Sequence, residues 1–459
     1  MYKVNFNKPI HVHFIGIGGI SMSGLAEILL KQNFTLSGSD SQASPITEKL
    51  ASLGATIAIG QRAENISSDI DLVVYTAAIR EDNEEFQEAV KRNIPMLTRA
   101  QLLGEIMDNY ENSIAVSGTH GKTTTTSMLS HILLEANTDP TISVGGILDR
   151  IDGNIYVGHS NVFLTEACEY TNSFLEFHPK YSIILNIEED HMDFFKDLAD
   201  IQHSFKQFAS QTANDGLLVL NSDIECIPYI TEDLNVNYVT FGLSEDSTYK
   251  AENIVFDDFG NAHFDFSIKG VPSGHIDLSV KGEHNVYNAL SAIAIAQSIG
   301  VSLDDIHTGL LSFGGTKRRF ERKGELNGFT IIDDYAHHPT EIKATLKSAK
   351  TYPHNEIWCI FQPHTYSRTK AFLDGFAEAL SYSDHIILTD IYAAREPDTG
   401  EVSSKDIFER LAPYNVDAHY IPAFEDIMDF VLKNCKKNDL LITMGAGNVV
   451  NIGEMLLKK

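Results

Sequence analysis

Residues 114–126 read Ile-Ala-Val-Ser-Gly-Thr-His-Gly-Lys-Thr-Thr-Thr-Thr. An apolar run enters a turn of small residues, and apolar side chains follow at helical spacing, at Met128, Leu129, Ile132 and Leu133. This order predicts a strand, a phosphate-binding loop and a helix. Glycines let backbone N–H groups approach phosphate oxygens, and the first helical turn adds unpaired donors and the positive end of the helix dipole. The stretch therefore predicts a site for the polyphosphate of a nucleotide.

Two side chains of this loop indicate how the phosphates would be held. Lys122 would bring a point charge to the β- and γ-phosphates, and the Thr123 hydroxyl would bind Mg²⁺. The full pattern G-x-x-x-x-G-K-[ST] is not met, because Val116 stands where its first glycine belongs, and the shorter G-T-H-G-K-T remains. A plain turn is the alternative, but the position between a strand and a helix favours phosphate binding.

Length and charge limit the classes of protein that this chain can represent. With 459 residues it exceeds one typical domain, and about three domains are expected. The formal net charge is −28, from 35 basic and 63 acidic side chains. Because such a field repels phosphate backbones and anionic headgroups, we expect no nucleic acid and no membrane surface as partner. Anionic small substrates would be held by local loops, metal ions and a few basic side chains.

The cysteines and the first residues bear on the location of the protein. The four cysteines are scattered and include no C-x-x-C pair, so they indicate neither a disulfide framework nor a zinc site. Glycine and histidine interrupt residues 10–20, and no run of about 18 apolar residues occurs elsewhere. We therefore expect a cytoplasmic protein that is neither exported nor membrane-spanning.

A second glycine-rich turn follows the first expected strand. Residues 11–21 read His-Val-His-Phe-Ile-Gly-Ile-Gly-Gly-Ile-Ser. The next strand is expected at residues 34–36 and closes on Gly-Ser-Asp, whose Asp40 lies 22 residues after Gly18. This arrangement is typical of a dinucleotide-binding turn, in which the acidic residue meets a ribose. Ser21 stands where the third glycine of G-x-G-x-x-G belongs, so the motif alone is poor evidence for NAD. A bound nucleotide diphosphate is favoured over a purely structural turn.

Two later residues of the first third are candidates for the same site. Residues 71–76 predict a strand whose carboxyl end, at Thr76, lies where ligands bind in open α/β sheets. A helix is expected at 84–92 and a short strand at 94–97, and the next helix begins near Arg99. Arg99 would contact a phosphate or be a solvated arginine at a helix start.

Two strands of the middle third end in potential metal ligands. Residues 162–169 predict a strand that ends in carboxylates, among them Glu166, and residues 181–187 predict one that leads to His191. Beside a phosphate loop, such oxygen and nitrogen atoms are suited to one or two Mg²⁺ ions bound with ATP. A surface role is the alternative for either residue taken alone.

Three motifs are informative when taken together. They are G-T-H-G-K-T-T in the phosphate loop, D-H-M-D after the second of the two strands, and H-N-x-x-N-A from His284, where a helical segment begins. This combination resembles the Mur ligase family, the ATP-dependent amide ligases that build the peptidoglycan stem peptide. In the last motif Asn285 is also suited to cap that helix. The resemblance spans essentially the whole chain.

The last third places acids, tyrosine and histidines at the ends of apolar strands. Residues 330–341 read Thr-Ile-Ile-Asp-Asp-Tyr-Ala-His-His-Pro-Thr-Glu, and residues 357–369 carry Phe-Gln-Pro-His. Apolar strands at 385–388 and 440–444 complete another α/β sheet. A single histidine is more often structural than catalytic, but clusters at the ends of successive strands favour a site. With G-I-G-G-I near the start and T-D-I-Y-A-A-R-E at 389–396, these motifs resemble family members that add the first amino acid.

The resemblance implies an α/β fold in three domains. Residues 1–110 would form a Rossmann-like domain that binds a UDP-sugar. Residues 111–317 would form a central P-loop ATPase-like α/β domain. Residues 318–459 would form a Rossmann-like C-terminal domain that brings the amino acid and closes over ATP.

The resemblance also implies roles for individual residues. ATP would be bound by Gly118, Thr119, His120, Gly121, Lys122, Thr123, Thr124, Asn285, Asn288 and Asp334. Mg²⁺ would be bound by Thr123, Glu166 and His191. The UDP-sugar would be bound by Gly16, Gly18, Gly19, Asp40, Thr76 and Arg99. The amino acid and acyl phosphate would be contacted by Glu169, Arg319, Tyr335 and Arg368. Catalysis would rest on Lys122, His337, His364 and Arg368.

Two positions depart from what some family members carry. Thr365 stands where some members have arginine, so Arg368 is the clamp that remains there. Several sister ligases bridge metals with a carbamylated lysine, but the spacing between His191 and Lys206 does not support that role for Lys206.

The implied reaction uses ATP and Mg²⁺ to join L-alanine to the lactyl carboxylate of UDP-N-acetylmuramate. The γ-phosphate would pass to the carboxylate, and the amine of alanine would attack the resulting acyl phosphate. The base that accepts the amine proton stays open among His337, His364 and Glu169. Rivals are a ligase that adds a preformed peptide to the same sugar, a nicotinamide-dependent oxidoreductase and a nucleotide-regulated binding module. We expect a monomer or a homodimer.

Overall fold

Three β-sheets with packed helices make up the chain. The computed structural model describes residues 2–394 and 396–458. Most neighbouring strands within each sheet run parallel, and helices alternate with them along the chain. The predicted α/β fold in three domains is confirmed, whereas the positions of the domain boundaries stay a prediction.

The first sheet has five strands in the order β3-β2-β1-β4-β5, all parallel. Its strands are β1 His11–Ile15, β2 Thr35–Asp40, β3 Thr56–Ile59, β4 Leu72–Tyr75 and β5 Met96–Thr98. Its helices are α1 Ile20–Lys31, α2 Pro45–Ser52, α3 Glu84–Lys91 and α4 Arg99–Met107. The chain order reverses between β1 and β4, and ligands bind at such a switch point in open α/β sheets. The second strand, expected from residue 34 to a close on Gly-Ser-Asp, spans Thr35–Asp40, so Asp40 ends this strand as predicted.

The central sheet has ten strands in the order β15-β14-β13-β12-β11-β10-β6-β9-β7-β8. Its strands are β6 Asn112–Ser117, β7 Thr141–Leu148, β8 Gly153–Tyr156, β9 Val162–Glu166, β10 Tyr181–Ile184, β11 Leu217–Asn221, β12 Asn237–Gly242, β13 Tyr249–Phe256, β14 Asn261–Ile268 and β15 Val271–Lys281. Its helices are α5 Lys122–Glu135, α6 Leu198–Ser210, α7 Ile227–Thr231, α8 His284–Ser298 and α9 Leu303–Ser312. Strands β13 to β15 form an antiparallel meander that the sequence patterns did not predict.

The third sheet has six strands in the order β16-β17-β21-β18-β19-β20. Its strands are β16 Glu321–Leu326, β17 Phe329–Asp334, β18 Ile357–Phe361, β19 His385–Leu388, β20 Asp417–Tyr420 and β21 Leu440–Met444. Its helices are α10 Pro339–Ala349, α11 Tyr366–Ala371, α12 Leu373–Leu380, α13 Ser404–Arg410, α14 Phe424–Asn434 and α15 Val450–Leu456. Only β16 pairs antiparallel among the strands described in this sheet.

Apolar patterning explains the central core and the helix that follows the phosphate loop. Strand β6 is buried along nearly its whole length, as expected for a parallel strand covered on both faces. Helix α5 packs against α8 and α9, and Met128, Leu129, Ile132 and Leu133 are fully buried. The helix therefore has no solvent-exposed apolar face and holds the loop before it rigidly on the sheet.

Two local predictions were wrong in detail. The strand expected to reach Glu169 ends at Glu166, because the chain turns there and a 3₁₀ helix begins after Glu169. Asn285 does not cap α8, since the helix begins one residue earlier and the Asn285 side chain instead donates to the Lys281 carbonyl at 2.7 Å. None of the helices among the described residues combines the length and apolarity needed to cross a membrane.

Candidate active site

The phosphate loop lies at the carboxyl edge of the central sheet. Strand β6 pairs with β10 on one side and with β9 on the other, and the register places Val116 opposite Glu166 and Ser117 opposite Ile184. The loops that follow all three strands therefore meet. This geometry brings residues 118–121 together with Glu166 and with the acidic loop after β10.

Two glycines of the loop are required by its geometry. Gly118 and Gly121 have φ angles of 139° and 85°, in the left-handed range that favours glycine. A Cβ atom on Gly121 would lie 2.8 Å from the Asn288 Oδ1 atom, and one on Gly118 would lie 2.9 Å from the Leu185 Cβ atom. The loop is thus packed tightly between β10 and α8, with its backbone close to Asn288, one of the residues predicted to bind ATP.

Lys122 is folded back onto its own loop. Its Nζ atom donates to the carbonyls of Gly118 at 2.5 Å and Thr119 at 3.1 Å, and to Glu169 Oε2 at 2.9 Å. Burial alone would lower the pKa of Lys122, but the Glu169 carboxylate outweighs burial and raises it. Lys122 is therefore a charged donor within the loop, and a phosphate group would take over the ion pair that Glu169 now makes.

The predicted metal ligands fall into two groups. The Thr123 hydroxyl donates to Glu166 Oε2 at 3.0 Å, and Glu166 Oε1 accepts the Gly145 N–H. Burial raises the pKa of Glu166, so this carboxylate would gain from a nearby cation. Hard oxygen donors of this kind fit Mg²⁺. His191 instead lies 3.7 Å from Glu169, on the other side of Lys122.

A cavity of ≈ 950 Å³ lies between the central and C-terminal domains. It brings together many of the residues predicted to bind ATP, namely His120, Gly121, Thr124, Asn285, Asn288 and Asp334. Arg319, predicted to contact the amino acid and acyl phosphate, also lines this cavity. Asn288 donates to Asn285 Oδ1 at 2.9 Å, so the two amides form one fixed unit. The volume is within the range of pockets that enclose a nucleotide-sized ligand.

Asp334 lines this cavity and also fixes the start of the C-terminal domain. Its Oδ1 atom accepts the Ala336 N–H and its Oδ2 atom accepts the Phe320 N–H, both at 2.8 Å. Burial raises the pKa of Asp334 to about 6. The predicted contact of Asp334 with ATP would therefore come from a carboxylate that backbone donors already hold in place.

The predicted residues of the C-terminal domain form one connected cluster. The ring of His337 lies 5.5 Å from that of Tyr335 and 5.9 Å from that of His364. Arg368 Nη1 contacts His364 Nδ1 at 3.3 Å, and Arg368 Nη2 donates to Asp190 Oδ1 at 2.8 Å. The last contact crosses from the C-terminal domain to the loop after β10 in the central domain. The cluster thus faces the region of His191 and Lys122.

The first-domain residues hold the glycine turn at the switch point. Gly16 has a φ of 84°, and a Cβ atom there would lie 2.8 Å from the Thr76 side chain. The Gly18 N–H donates to Asp40 Oδ2 at 2.9 Å. Asp40 therefore braces the turn, and a ribose contact would use its remaining acceptor sites.

Arg99 begins α4 at the border with the central domain. Arg99 is partly buried, and burial lowers the pKa of its guanidinium. Partial burial is compatible with a contact to a bound phosphate and with a partly solvated arginine at a helix start, so the role of Arg99 stays a prediction.

Sequence patterns missed Glu341 and Asp190. Glu341 lies 3.4 Å from His120 Nδ1, 3.3 Å from Arg319 Nη1 and 3.3 Å from His337 Nδ1. These neighbours hold the pKa of Glu341 well below its usual range, although burial alone would raise it. The signal was present, because Pro at the first position of α10 places a carboxylate two residues later beside the preceding loop.

Lys206 was given no metal-bridging role. It lies on α6 and pairs with Glu232 at 2.7 Å. Arg395, part of the motif at 389–396, lies outside the described residues. All four cysteines are described, and none forms a disulfide.

The ionic contacts of His120 predict a pH dependence of stability. Burial alone would lower the pKa of His120, but Glu188 and Glu341 raise it to about 9. Because the folded-state pKa exceeds the unfolded value, this stabilisation is complete below about pH 6.5 and is lost as pH rises through about 9, a change of about 3 kcal/mol. We expect urea unfolding to give a stability gap between wild type and His120→Gln that shrinks from pH 6.5 to pH 9.5. An equal difference in the free energy of unfolding at both pH values would contradict a stabilising role of these ion pairs.

Comparison with known proteins gives matches along the chain. The Mur ligase family catalytic domain matches residues 11–111, the Mur ligase middle domain matches 116–296, and the Mur ligase glutamate ligase domain matches 318–447. A UDP-N-acetylmuramate–L-alanine ligase from Agathobacter rectalis is 59% identical over 100% of both chains.

Solved structures show the same similarity. The UDP-N-acetylmuramate–alanine ligase from Thermotoga maritima has a TM-score of 0.79 and 30% identity, with 98% of each chain covered. A murein peptide ligase from Psychrobacter arcticus has a TM-score of 0.70 and 26% identity, also with 98% of each chain covered.

Proposed function

This chain belongs to the Mur ligase family, and on that premise we propose that it joins L-alanine to the lactyl carboxylate of UDP-N-acetylmuramate with cleavage of ATP. The products would be UDP-N-acetylmuramoyl-L-alanine, ADP and phosphate. The relatives named for this reaction support the choice of substrates. The reaction would supply a precursor of peptidoglycan in the cytoplasm.

A continuous run of polar contacts carries the proposal. It begins at Lys122 in the phosphate loop, which pairs with Glu169, and Glu169 lies 3.7 Å from His191. The residue before His191 in the chain, Asp190, pairs with Arg368 of the C-terminal domain at 2.8 Å. A phosphate bound at Lys122 and an amino acid bound at Arg368 would therefore lie close to each other.

The first chemical step would be phosphoryl transfer. A carboxylate resists attack by an amine because its leaving group would be oxide, so the γ-phosphate would first convert it to an acyl phosphate. Such a transfer needs positioning and charge neutralisation more than covalent chemistry from the protein. Lys122 would neutralise charge on the γ-phosphate, and Arg99 would hold the sugar nucleotide at the border of the first domain. Thr123 and Glu166 would hold Mg²⁺, which supplies further neutralisation when bound.

The second step would be attack by the alanine amine, which must lose a proton. Among the three candidate bases, the geometry favours His337. Its Nδ1 atom lies 3.0 Å from the Tyr335 carbonyl and would carry the ring proton, which leaves Nε2 as an acceptor. Burial lowers the pKa of His337, so the neutral form is favoured. Glu169 is held by Lys122, and His364 contacts Arg368.

The test is phosphate release with one component omitted at a time. We expect release to require ATP, UDP-N-acetylmuramate and L-alanine together, with L-alanine preferred over a tripeptide acceptor. Preference for the tripeptide would replace this function with that of a peptide-adding ligase. Hydroxylamine should trap an acyl phosphate when alanine is absent, and failure to trap it would contradict the proposed order of steps.

The metal ligands give a separate prediction. Glu166→Gln and Thr123→Val each remove one of two oxygen donors, so we expect each to raise the Mg²⁺ concentration for half-maximal activity by about 10-fold or more. Magnesium titration at saturating ATP measures the effect. The matched control is Glu135→Gln, because Glu135 lies at the far end of α5 and pairs with Arg150. Unchanged magnesium dependence in both site variants would remove these residues from the metal site.

A further inference from the structure

Three side chains outside the magnesium and alanine positions converge between the central and C-terminal domains. His120 comes from the phosphate loop, Glu188 from the loop after β10, and His338 from the residue before α10. Each offers one ligand atom, and the three atoms lie within 4.8 Å of one another. The rings of His120 and His338 are 4.7 Å apart, and His120 Nε2 lies 3.7 Å from Glu188 Oε2.

We propose that His120, Glu188 and His338 form a binding site for a divalent transition metal of the zinc type, which would bridge the central and C-terminal domains. Two histidines and one carboxylate, with water as the fourth ligand, are a common ligand set for zinc. In a tetrahedral site with bonds of about 2.0–2.1 Å the ligand atoms stand about 3.3 Å apart. Small side-chain rotations would therefore close the site.

Unsatisfied polar atoms give independent support. His338 is 4% exposed, and its Nε2 atom is buried without a hydrogen-bond partner among residues 2–394 and 396–458. The Nε2 atom of His120 is also buried without a hydrogen-bond partner among the described residues. Because buried polar groups are nearly always paired in folded proteins, two such nitrogens beside one carboxylate point to a missing common partner.

The surroundings also match those of metal-binding histidines. Glu341 Oε1 lies 3.4 Å from His120 Nδ1, which is the carboxylate contact that commonly directs the other ring nitrogen toward a metal. Thr340 donates to Glu188 Oε2 at 2.7 Å and orients that carboxylate.

The proposed metal would bind His338 at Nε2, the nitrogen that has no partner among the described residues. The Nδ1 atom of His338 accepts the Thr340 N–H at 3.4 Å, a long hydrogen bond. A metal on Nε2 would move the ring proton to Nδ1 and give up this contact, which is a small loss against a metal–nitrogen bond.

Zinc binding to the full-length protein, free of nucleotide and magnesium, tests the site. We expect one Zn²⁺ per chain in competition with a chromophoric chelator, and the intense visible absorption of tetrahedral Co²⁺ after substitution. His338→Asn should weaken zinc more than about 100-fold, since a direct ligand is lost, and Glu341→Gln should weaken it about 10–100-fold. Asparagine keeps an acceptor for the Thr340 N–H, so α10 retains its cap.

Two variants separate this site from other histidines of the chain. His191→Asn should keep the tight zinc ion, because His191 belongs to the predicted magnesium position. His307→Asn should also keep it, although His307 lies 3.5 Å from Asp277 in a surface cluster with other histidines. Zinc that survives His338→Asn, or that is lost in His191→Asn, would overturn the proposal. If His338→Asn failed to fold, Glu188→Gln would give the same test.

Discussion

Replacing Lys122 with alanine is expected to lower the rate of ATP cleavage about 10³-fold or more, because phosphoryl transfer depends on fixed positive charge at the phosphates. The Lys122 ammonium group lies within the turn of the loop, bonded to the Gly118 and Thr119 carbonyls, so water cannot replace it in the same place. Phosphate release at saturating substrates measures the change. We expect binding of UDP-N-acetylmuramate to be kept, since that substrate is assigned to the first domain.

The matched control is Lys206→Ala, which removes a lysine that pairs with Glu232 on the surface of α6. Loss of Lys122 also leaves Glu169 buried without its cation, which lowers stability. Adding Glu169→Gln removes that unpaired charge, so the double variant should regain thermal stability while staying inactive. A turnover within about 10-fold of wild type in Lys122→Ala would exclude the assigned role, whereas recovery of activity in the double variant would make Lys122 a structural residue.

The parallel strands could be predicted from the sequence because they are buried on both faces. Such strands appear as continuous apolar runs, and residues 357–361, 385–388 and 440–444 form strands at the predicted positions. The phosphate loop was equally clear, because its glycines, lysine and threonine are neighbours in the chain. Local sequence is sufficient where one segment supplies both the element and its chemistry.

Other parts of the fold depend on contacts that a local pattern does not contain. In the meander of β13 to β15 the register shifts at irregularities, and the second half of β13 and the first half of β15 have no buried residues, so the alternation of buried and exposed residues that marks a strand is interrupted. Gly38 lies within β2, where a Cβ atom would stand 2.6 Å from Ile17 Cδ1. That glycine serves close packing rather than a turn.

The active site shows the same difference between features set by local sequence and features set by long-range contacts. Glu166 and Thr123 could be placed together because β9, which ends at Glu166, pairs with β6, which leads into the phosphate loop and Thr123. The contact between Asp190 and Arg368 joins residues that are 178 positions apart and belong to different domains. This contact depends on how the two domains pack against each other. The sequence patterns therefore did not identify the contact residues Asp190, Glu188, Glu341 and His338.

Arg368→Ala is expected to lower the maximal rate about 10²–10³-fold, because a fixed cation beside the reacting carboxylate would be lost. Arg368 would hold either the alanine carboxylate or the acyl phosphate, and its planar guanidinium can contact two oxygens at once. Arg368→Lys should therefore restore little, since an ammonium group is a point charge. Measuring the maximal rate and the KM for L-alanine distinguishes the two roles, because a carboxylate contact would also raise that KM.

Stability must be separated from catalysis in this variant, because Arg368 and Asp190 form a buried ion pair with side chains only 9% and 7% exposed. Removing the arginine alone leaves a buried carboxylate without a cation, at a cost of about 3–5 kcal/mol. The Asp190→Asn change removes that charge, so Arg368→Ala combined with it should recover most of the lost stability. If Arg368 acts on substrate, the double variant stays slow, and Arg410→Ala, which breaks an exposed pair with Asp374, stays fast. Recovery of the rate together with stability would instead assign Arg368 to holding the two domains together.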